Sequence, residues 1–512
     1  MNFIQRGARN LLLGKDDEKS NPETQKRSSP KGRAQQRYKA AQQTDQAADR
    51  FIGGSRSVDA NLRSELVKVR EASRNAGDDI GYVRRYFSMV QTHVVGENGL
   101  RLQANVKDAK GKLDTEANKI LENEFLEWGE LGSAEIGGRM SWIGAQELTA
   151  KTCAQDGDML MRYHFDKSNR YGFSIELIEA DLLDVSLNQK LRNGNRIVMG
   201  VELDRFNRRV AFHLLTAHPG DDSWTFGGRR YQRVSADEMD LLYPVWRPGQ
   251  NRGIPWAHAS LMEMYQINGM RDSQLVQARV AAANMGFYER DPELAVDEDE
   301  FDDEGELLQE LDGGQMSVVP DGYKINQTSF QAPQSSDFQK DALRGSASGM
   351  DVNYNVLGND YEGVSFSSLR QAILEDRDAW KRKQRWLIEQ QGSPVFKRWT
   401  KQALLKGALP GLRASDAHRL SKHKMYGRRW AWVDPLKDEQ AAGEALGNLT
   451  TSPMHILRDK GLDATDVIEG WQQFGEMAEP IMDIYKMLMP KKAGVTEVKP
   501  APSDSKTNDE QE

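Results

Sequence analysis

Carboxylates are the side chains here whose type and spacing could do chemistry. Asp156-Gly157-Asp158 sets two of them one residue apart, and Asp181 and Asp184 follow. Four converging carboxylates with open coordination positions would hold Mg²⁺ for metal-assisted hydrolysis, which makes a Mg²⁺-dependent nucleic-acid-processing enzyme one reading. The plainer reading of Asp-Gly-Asp ahead of an alternating run is a turn. A denser acidic run holds Asp297, Glu298, Asp299, Glu300, Asp302, Asp303 and Glu304. It fails the EF-hand order because Phe301 falls at a ligand position, and it reads as a solvated charged face.

Other chemistries lack their residues. There is no phosphate-cradling G-x-x-x-x-G-K-[ST] loop and no H-E-x-x-H. Gly345-Ser346-Ala347-Ser348-Gly349 puts Ala347 where a nucleophile elbow needs serine. Cys153 is the only cysteine, which excludes an intramolecular disulfide, fits a reducing compartment and falls short of a structural zinc site. His213 and His218 have no second His or Cys at ligand spacing and read as packing or surface residues. The expectation is a chain with no catalytic residue, no metal and no cofactor.

The elements that must position anything else follow from pattern. At 512 residues there is room for two to four domains, while 38% hydrophobic content and a mean hydropathy of −0.71 imply extensive polar surface or disordered ends. No apolar run approaches the roughly 20 residues of a membrane span, and Leu11-Leu12-Leu13 is too short for a secretory signal. A net charge of −8 argues against a sequence-independent grip on DNA phosphates. Residues 1–57 read as a mobile basic arm. Helical spacing is expected over Asn61–Val94 with a break at Asn75–Asp79, over Glu116–Trp128, and over Trp142–Asp156. The period then changes to two. Met159–Phe165, Phe173–Ile178, Arg196–Leu203 and Arg209–Leu215 read as strands, the last two joined as a hairpin through Asp204–Asn207.

One stretch organises the remainder. Arg247-Pro248-Gly249-Gln250-Asn251-Arg252-Gly253-Ile254-Pro255-Trp256 is a turn, and Pro255 suits the first position of a helix running to Asn284. Such a helix, about 29 residues or roughly 44 Å long, would carry Leu261, Tyr265, Met270, Leu275, Ala278 and Ala282 as one shallow stripe. It suits packing on neighbours better than filling a thick core. Short strands are expected at Gln315–Pro320 and Tyr323–Ile325, a helix over Asp337–Met350, a loop over Asp351–Ser365 and a well-defined helix over Ser367–Gln391. Further short helices are expected from Pro453, over Asp463–Phe474 and from Pro480. No internal repeat is present.

Two segments carry a resemblance. Arg247, Pro248, Gly249, Gln250, Arg252, Gly253, Ile254 and Pro255 match an R-P-G-Q-x-R-G-[IV]-P pattern. Asp360, Tyr361, Phe366, Ser367, Ser368 and Arg370 match a second, D-Y-x₄-[YF]-S-S-x-R. With these the chain resembles the lambda-type family of tailed-phage portal proteins. Gly96–Leu100, Asp156–Asp158 and Ile178–Asp181 extend the likeness over roughly residues 60 to 480. The chain departs from many relatives in having Leu241-Leu242-Tyr243 where a His is common, and Asn353 where a Pro often follows Val.

The resemblance implies an α+β portal fold in a ring, usually dodecameric, through which DNA passes at one capsid vertex. It implies a mixed α/β wing over 58–253, a first stem helix over 254–285, a small α/β clip over 286–336 and a second stem helix over 337–350. A tunnel loop would occupy 351–366, a wing-return helix and connection 367–437, a helical crown 438–489 and a polar tail 490–512. Asn353, Tyr354, Asn355, Asn359, Asp360 and Tyr361 would face the channel, and the acidic run would bind partners. The implied partners are further copies of the chain, the terminase large subunit, a head-completion or adaptor protein, capsid and scaffold proteins, and double-stranded DNA passing non-specifically. The implied location is the virion, after synthesis in the host cytoplasm.

Overall fold

Two helices begin the part of the chain that the computed structural model describes, namely residues 56–165, 168–221, 230–282, 287–290, 323–326, 336–430, 435–460 and scattered positions from 467 to 475. Contacts divide the chain at Ser57, and everything below concerns the unit that starts at Val58. Helix α1 (Val58–Asp79) runs straight through the expected break at Asn75–Asp79, and the chain turns only at Ile80 before α2 (Gly81–Val90). Packing explains this: a Cβ at Gly77 would meet the Phe87 ring at 2.7 Å, so the glycine is what lets α2 close on α1. A π-helical turn over Gln91–Val95 follows.

Strand β1 (Arg101–Ala104) precedes α3 (Thr115–Trp128) and α4 (Trp142–Asp156), both where apolar spacing predicts them. Asp114 and Ser141 cap these helices by accepting the N–H of Ala117 and Gly144. Next come β2 (Met159–His164), β3 (Ser174–Glu179), β4 (Gln189–Lys190), β5 (Arg196–Val198), β6 (Val201–Leu203), β7 (Arg209–Leu215), β8 (Tyr231–Ser235) and β9 (Met239–Leu242). They form two antiparallel sheets, ordered β3-β2-β9 and β4-β5-β6-β7-β8. The single strand expected over Arg196–Leu203 is in fact a hairpin, with Val198 opposite Val201. Met199 and Gly200 both have positive φ, 49° and 84°, the geometry of a two-residue hairpin turn. Methionine rarely adopts it. Here burial against Leu62, Leu66 and Val185 holds Met199 in place.

Helix α5 (Leu261–Ala282) starts later than the sequence predicts. Pro255 does not begin it: residues 256–260 form a turn, and the Trp256 N–H goes to the Ala154 carbonyl at 2.9 Å. The buried face also differs from the expected stripe. Leu261, Met264 and Ile267 are inside, while Tyr265 and Leu275 are 71% and 58% exposed. Strand β10 (Phe287–Arg290) pairs antiparallel with β11 (Tyr323–Asn326). Helix α6 (Ser336–Gly349) then returns antiparallel to α5, held by Ser260 Oγ on the Ser346 carbonyl and Gln339 Nε2 on Gln274 Oε1. Within the expected loop lies one short helix, α7 (Tyr354–Gly358).

Helix α8 (Phe366–Leu387) passes through a second π-helical turn, Ile388–Gly392, into α9 (Ser393–Lys406). After α10 (Ala417–Leu420), β12 (His423–Tyr426) pairs with β1, and α11 (Pro435–Gly447) and α12 (Pro453–Asp459) follow. The core centres on aromatic rings of α3, α4 and α9, with Phe125 5.0 Å from Trp399 and 5.3 Å from Phe396. Among the described residues no helix is long and apolar enough to cross a membrane. The acidic run at 297–304, the strand expected at Gln315–Pro320 and the helix expected from Pro480 lie outside the described residues, as does most of Asp463–Phe474.

Candidate functional site

The first signature segment is a turn whose polar side chains face inward. Gln250 N–H returns to the Arg247 carbonyl, with Pro248 and the positive-φ Gly249 at the turn's centre, as a type II turn requires. Gln250 is buried. Its Oε1 accepts from the N–H groups of Trp246 and Arg247 at 3.0 and 3.2 Å, and its Nε2 donates to the Arg252 carbonyl at 2.8 Å. Asn251 reaches Asp59 at the start of α1.

Arg252 is fully buried and uses all five of its N–H donors. They reach both oxygens of Asp158 (2.6 and 3.3 Å) and the carbonyls of Leu183, Met199 and Ala180 (2.8, 3.2 and 3.0 Å). Gly253 N–H adds a bond to Asp158 Oδ2 at 3.0 Å. From α1, Arg70 meets Asp158 at 2.8 Å, Asp181, and the Asp156 carbonyl. Arg74 grips Asp156 through two bonds and Asp181 through a third contact at 2.6 Å. Burial alone would disfavour the charge on Arg70, but Asp158 and Asp181 outweigh it and raise its pKa. Asp181 is likewise pushed up by burial and pulled further down by Arg70 and Arg74. Three arginines thus neutralise three aspartates and bind α1, the strand sheet and the signature turn together.

This arrangement overturns the Mg²⁺ reading. The carboxylates of Asp156, Asp158 and Asp181 do converge, but guanidinium groups occupy them, leaving no open coordination positions. Asp184 stands apart, accepting from Ser186 and from the Tyr231 hydroxyl. Glu179, Asp181 and His218 are the one His-carboxylate group of ligand-like spacing among the described residues. His218 Nδ1 accepts the Gly220 N–H, so the proton sits on Nε2, which faces Glu179 and Asp181 at 3.4 and 3.8 Å. Among the described residues Nε2 makes no hydrogen bond, and Arg74 already holds Asp181. His213, on β7, contacts Glu202, whose pKa Arg233 pulls down to about 2.

The second signature borders the segment between α6 and α8. Asn353 caps α7 by accepting from the N–H groups of Asn355 and Val356, and Asn359 ends it in a left-handed conformation. Asn355 Nδ2 donates to the Asp360 carbonyl at 2.7 Å, and the Tyr354 hydroxyl donates to the Asp360 carboxylate, which Lys340 also approaches at 3.4 Å. The Tyr354 bond holds the Asp360 carboxyl below its usual range. Of the six positions expected at a channel, Asn353, Tyr354, Asn355 and Asp360 therefore hold the segment's shape, while Asn359 and Tyr361 face outward. Ser365 caps α8 and bonds Ser367 and Ser368 through its hydroxyl. Arg370 is half-buried on the first turns of α8, and Pro255 is buried beside Trp256.

The segment is tied back to the main body. Asn353 N–H donates to Asp376 Oδ2 at 3.1 Å, and Asp351 pairs with Arg382 and Lys383. Sequence reasoning missed these ties, and it missed Gln390. That residue's amide exchanges two hydrogen bonds with the backbone of Tyr243, each 3.0 Å long. No local pattern marks a glutamine that serves as a strand's neighbour. Arg70 left a weak signal as an arginine on the Leu62-Leu66-Val69 face of its helix.

Comparison with known proteins follows the same segments. The family model described as phage portal protein, lambda family, matches residues 44–384. The chain is 34% identical over 483 residues to the probable portal protein of Halomonas phage phiHAP-1, covering 91% of this chain and 92% of that one. It is 20% identical over 382 residues to portal protein B of Escherichia phage lambda, covering 69% and 72%. Among solved structures, the neck of an empty gene transfer agent particle aligns with a TM-score of 0.42 at 12% identity, over 80% of this chain and 96% of that chain. By the family match and the 34% identical relative, the chain belongs to the lambda family of phage portal proteins, structural connectors of the virion rather than enzymes.

Proposed function

We propose that copies of this chain stand side by side in a dodecameric ring, with double-stranded DNA moving through its centre during packaging and ejection. The observation that carries this is the outer surface of α5. Met262, Tyr265, Leu275 and Val276 are 70%, 71%, 58% and 56% exposed on a helix that packs against α1 and α6. Large apolar groups repeated along an exposed helix call for a covering surface, and the adjacent copy's helix pair supplies it.

In this reading α5 and α6 are the stem, residues 286–336 the clip, 351–366 the tunnel loop and 438–489 the crown. The clip's acidic run docks the terminase large subunit and later a head-completion protein, while capsid and scaffold proteins contact the outer wing. The charge of −8 suits a conduit. Each cation placed on a phosphate releases counterions and tightens binding, so an acidic wall lets the duplex slide. Negative-stain microscopy and sedimentation of the purified chain test the assembly: rings with a central hole are expected. A monomer under every assembly condition, with the α5 surface covered from within, would end the proposal.

A further inference from the structure

The arginines behind the first signature segment come with acids: Arg70, Arg74 and Arg252 face Asp156, Asp158 and Asp181. A second arginine group does not. It lies where the π-helical turn Gln91–Val95 meets α8 and the residues after β12. There the His93 ring is 5.2 Å from Trp380 and 6.2 Å from Trp430. Arg428 donates to the Thr92 carbonyl at 2.6 Å, Arg377 of α8 lies 6.0 Å from the Trp430 ring centre, and Arg85 stands earlier on α2. Among the described residues neither Arg85 nor Arg428 pairs with a carboxylate.

The group is held in place. Gln384 Nε2 donates to the carbonyls of both His93 and Arg428, at 2.9 and 3.0 Å, which ties the three elements together. A Cβ at Gly96 would fall 2.6 Å from Arg428 Cδ, so that glycine, at φ 72°, lets the arginine lie across the end of the turn. Trp430 Nε1 donates to His93 Nδ1 at 3.1 Å, which leaves the imidazole proton on Nε2. Nε2 has no acceptor among the described residues and is open to solvent. Burial, then the charges of Arg428, Arg85 and Arg377, push the His93 pKa down to about 4, so the ring is a neutral donor.

Like charges gathered on a fixed frame repel one another, and an anion relieves them. Guanidinium forks and an N–H donor match the oxygens of a phosphate. The net charge of −8 gives nucleic acid no general hold, so a local group of cations is where a phosphate can be kept. Arg84 and Arg429, the chain neighbours of Arg85 and Arg428, are exposed and add to the positive surface.

Resting on the reading of the chain as a DNA conduit, we propose that Arg85, Arg377, Arg428 and the His93 Nε2–H bind a backbone phosphate of duplex DNA. The contact carries no base sequence. It restrains the duplex at one place on a subunit that otherwise repels it.

Fluorescence anisotropy of a short labelled duplex with the full-length protein, over a series of salt concentrations, tests this. Replacing Arg85 and Arg428 together by Gln should weaken binding about tenfold and lower the slope of log K against log salt by about 2. Arg85 makes no hydrogen bond or ion pair among the described residues, so Arg85→Gln alone spares the fold and should lower the slope by about 1. Arg192→Gln with Arg205→Gln removes the same charge from two exposed hairpin turns and should leave affinity within about twofold. An equal loss in that control pair, or an unchanged slope for Arg85→Gln, would overturn the site. So would displacement of the duplex by millimolar inorganic phosphate at matched ionic strength, which assigns the group to the free ion, or tighter binding of polyglutamate, which assigns it to an acidic protein. Negative-stain images separate this from the reading beneath it. Rings that bind the duplex regardless of these substitutions overturn the site alone, whereas a wild type without rings removes the conduit and the site with it.

Discussion

Arg252 lays its Nε on Asp158 Oδ2 at 2.6 Å and its Nη2 on Oδ1 at 3.3 Å, and neither side chain touches solvent. A buried pair gains little over an apolar pair of the same volume, yet loss of one partner strands the other's charge in a dry site. Asp158 also receives Arg70, so the damage would spread to α1.

Arg252→Met is therefore expected to destabilise the folded chain by about 3–5 kcal/mol. The urea midpoint of unassembled protein measures it. A loss below about 1 kcal/mol, the scale of a surface pair, would contradict the assignment.

Gly253 has no room for a side chain, since a Cβ there would fall inside the carbonyl group of Gly157. Backbone cannot move aside as a flexible side chain can. Gly253→Ala is expected to cost about 2–4 kcal/mol or to abolish soluble expression. Gly269→Ala on α5, where nothing lies within 4 Å, is the control and should be neutral or slightly stabilising. Equal melting temperatures for the two variants would refute the steric argument.

Burial pushes the Asp376 carboxyl up to about 6, against the opposing effect of the Asn353 N–H. A carboxyl raised in the folded state favours folding fully below its unfolded pKa near 3.9, and that contribution is lost as pH climbs through about 6. Asp376→Asn keeps an acceptor for Asn353 and removes the titration. Its melting temperature should match wild type near pH 4 and exceed it at pH 8, a gain on the order of 1 kcal/mol or less after solvent screening. A gain of equal size at both pH values would count against this.

Deleting Asn359–Gly363 removes the outward-facing Asn359 and Tyr361, and with them the Asp360 bonds to Tyr354 and Asn355, while leaving the Asn353 cap on α7. Rings should still form, and packaging or retention of DNA should fall severalfold in an assay with nuclease challenge. Unaltered packaging would remove this segment from the channel.

Charge reversal at Asp302, Asp303 and Glu304 (each to Lys) should weaken capture of the packaging motor by about tenfold or more at low salt, with the difference shrinking as salt screens it. Docking unchanged at every ionic strength would reassign the run to solvent.

Helices with a local cause were legible in the sequence. Trp142–Asp156 follows from apolar spacing, and the strands Met159–His164 and Arg209–Leu215 from alternation. The hairpin within Arg196–Leu203 was hidden because tertiary burial places Met199 at a positive φ that local preference disfavours. The onset of α5 was misjudged for a related reason: Pro255 is competent to begin a helix, but the Trp256 N–H is taken by Ala154. At the signature segments, sequence identified Arg252 and Gly253 as members of a pattern. Only the structure pairs them with Asp158, because ion pairs between distant residues leave no spacing to read.

Gln390 against Tyr243 closes the chain on itself, and Trp256 against Trp386 repeats the closure a few residues further along. The excursion that leaves through α5 and comes home through α8 thus has both feet on one plinth. A pull on its far end reaches the body at one small area instead of at two distant points. In the ring proposed above, the thrust of a moving polymer on that excursion would enter each subunit's body through this one area.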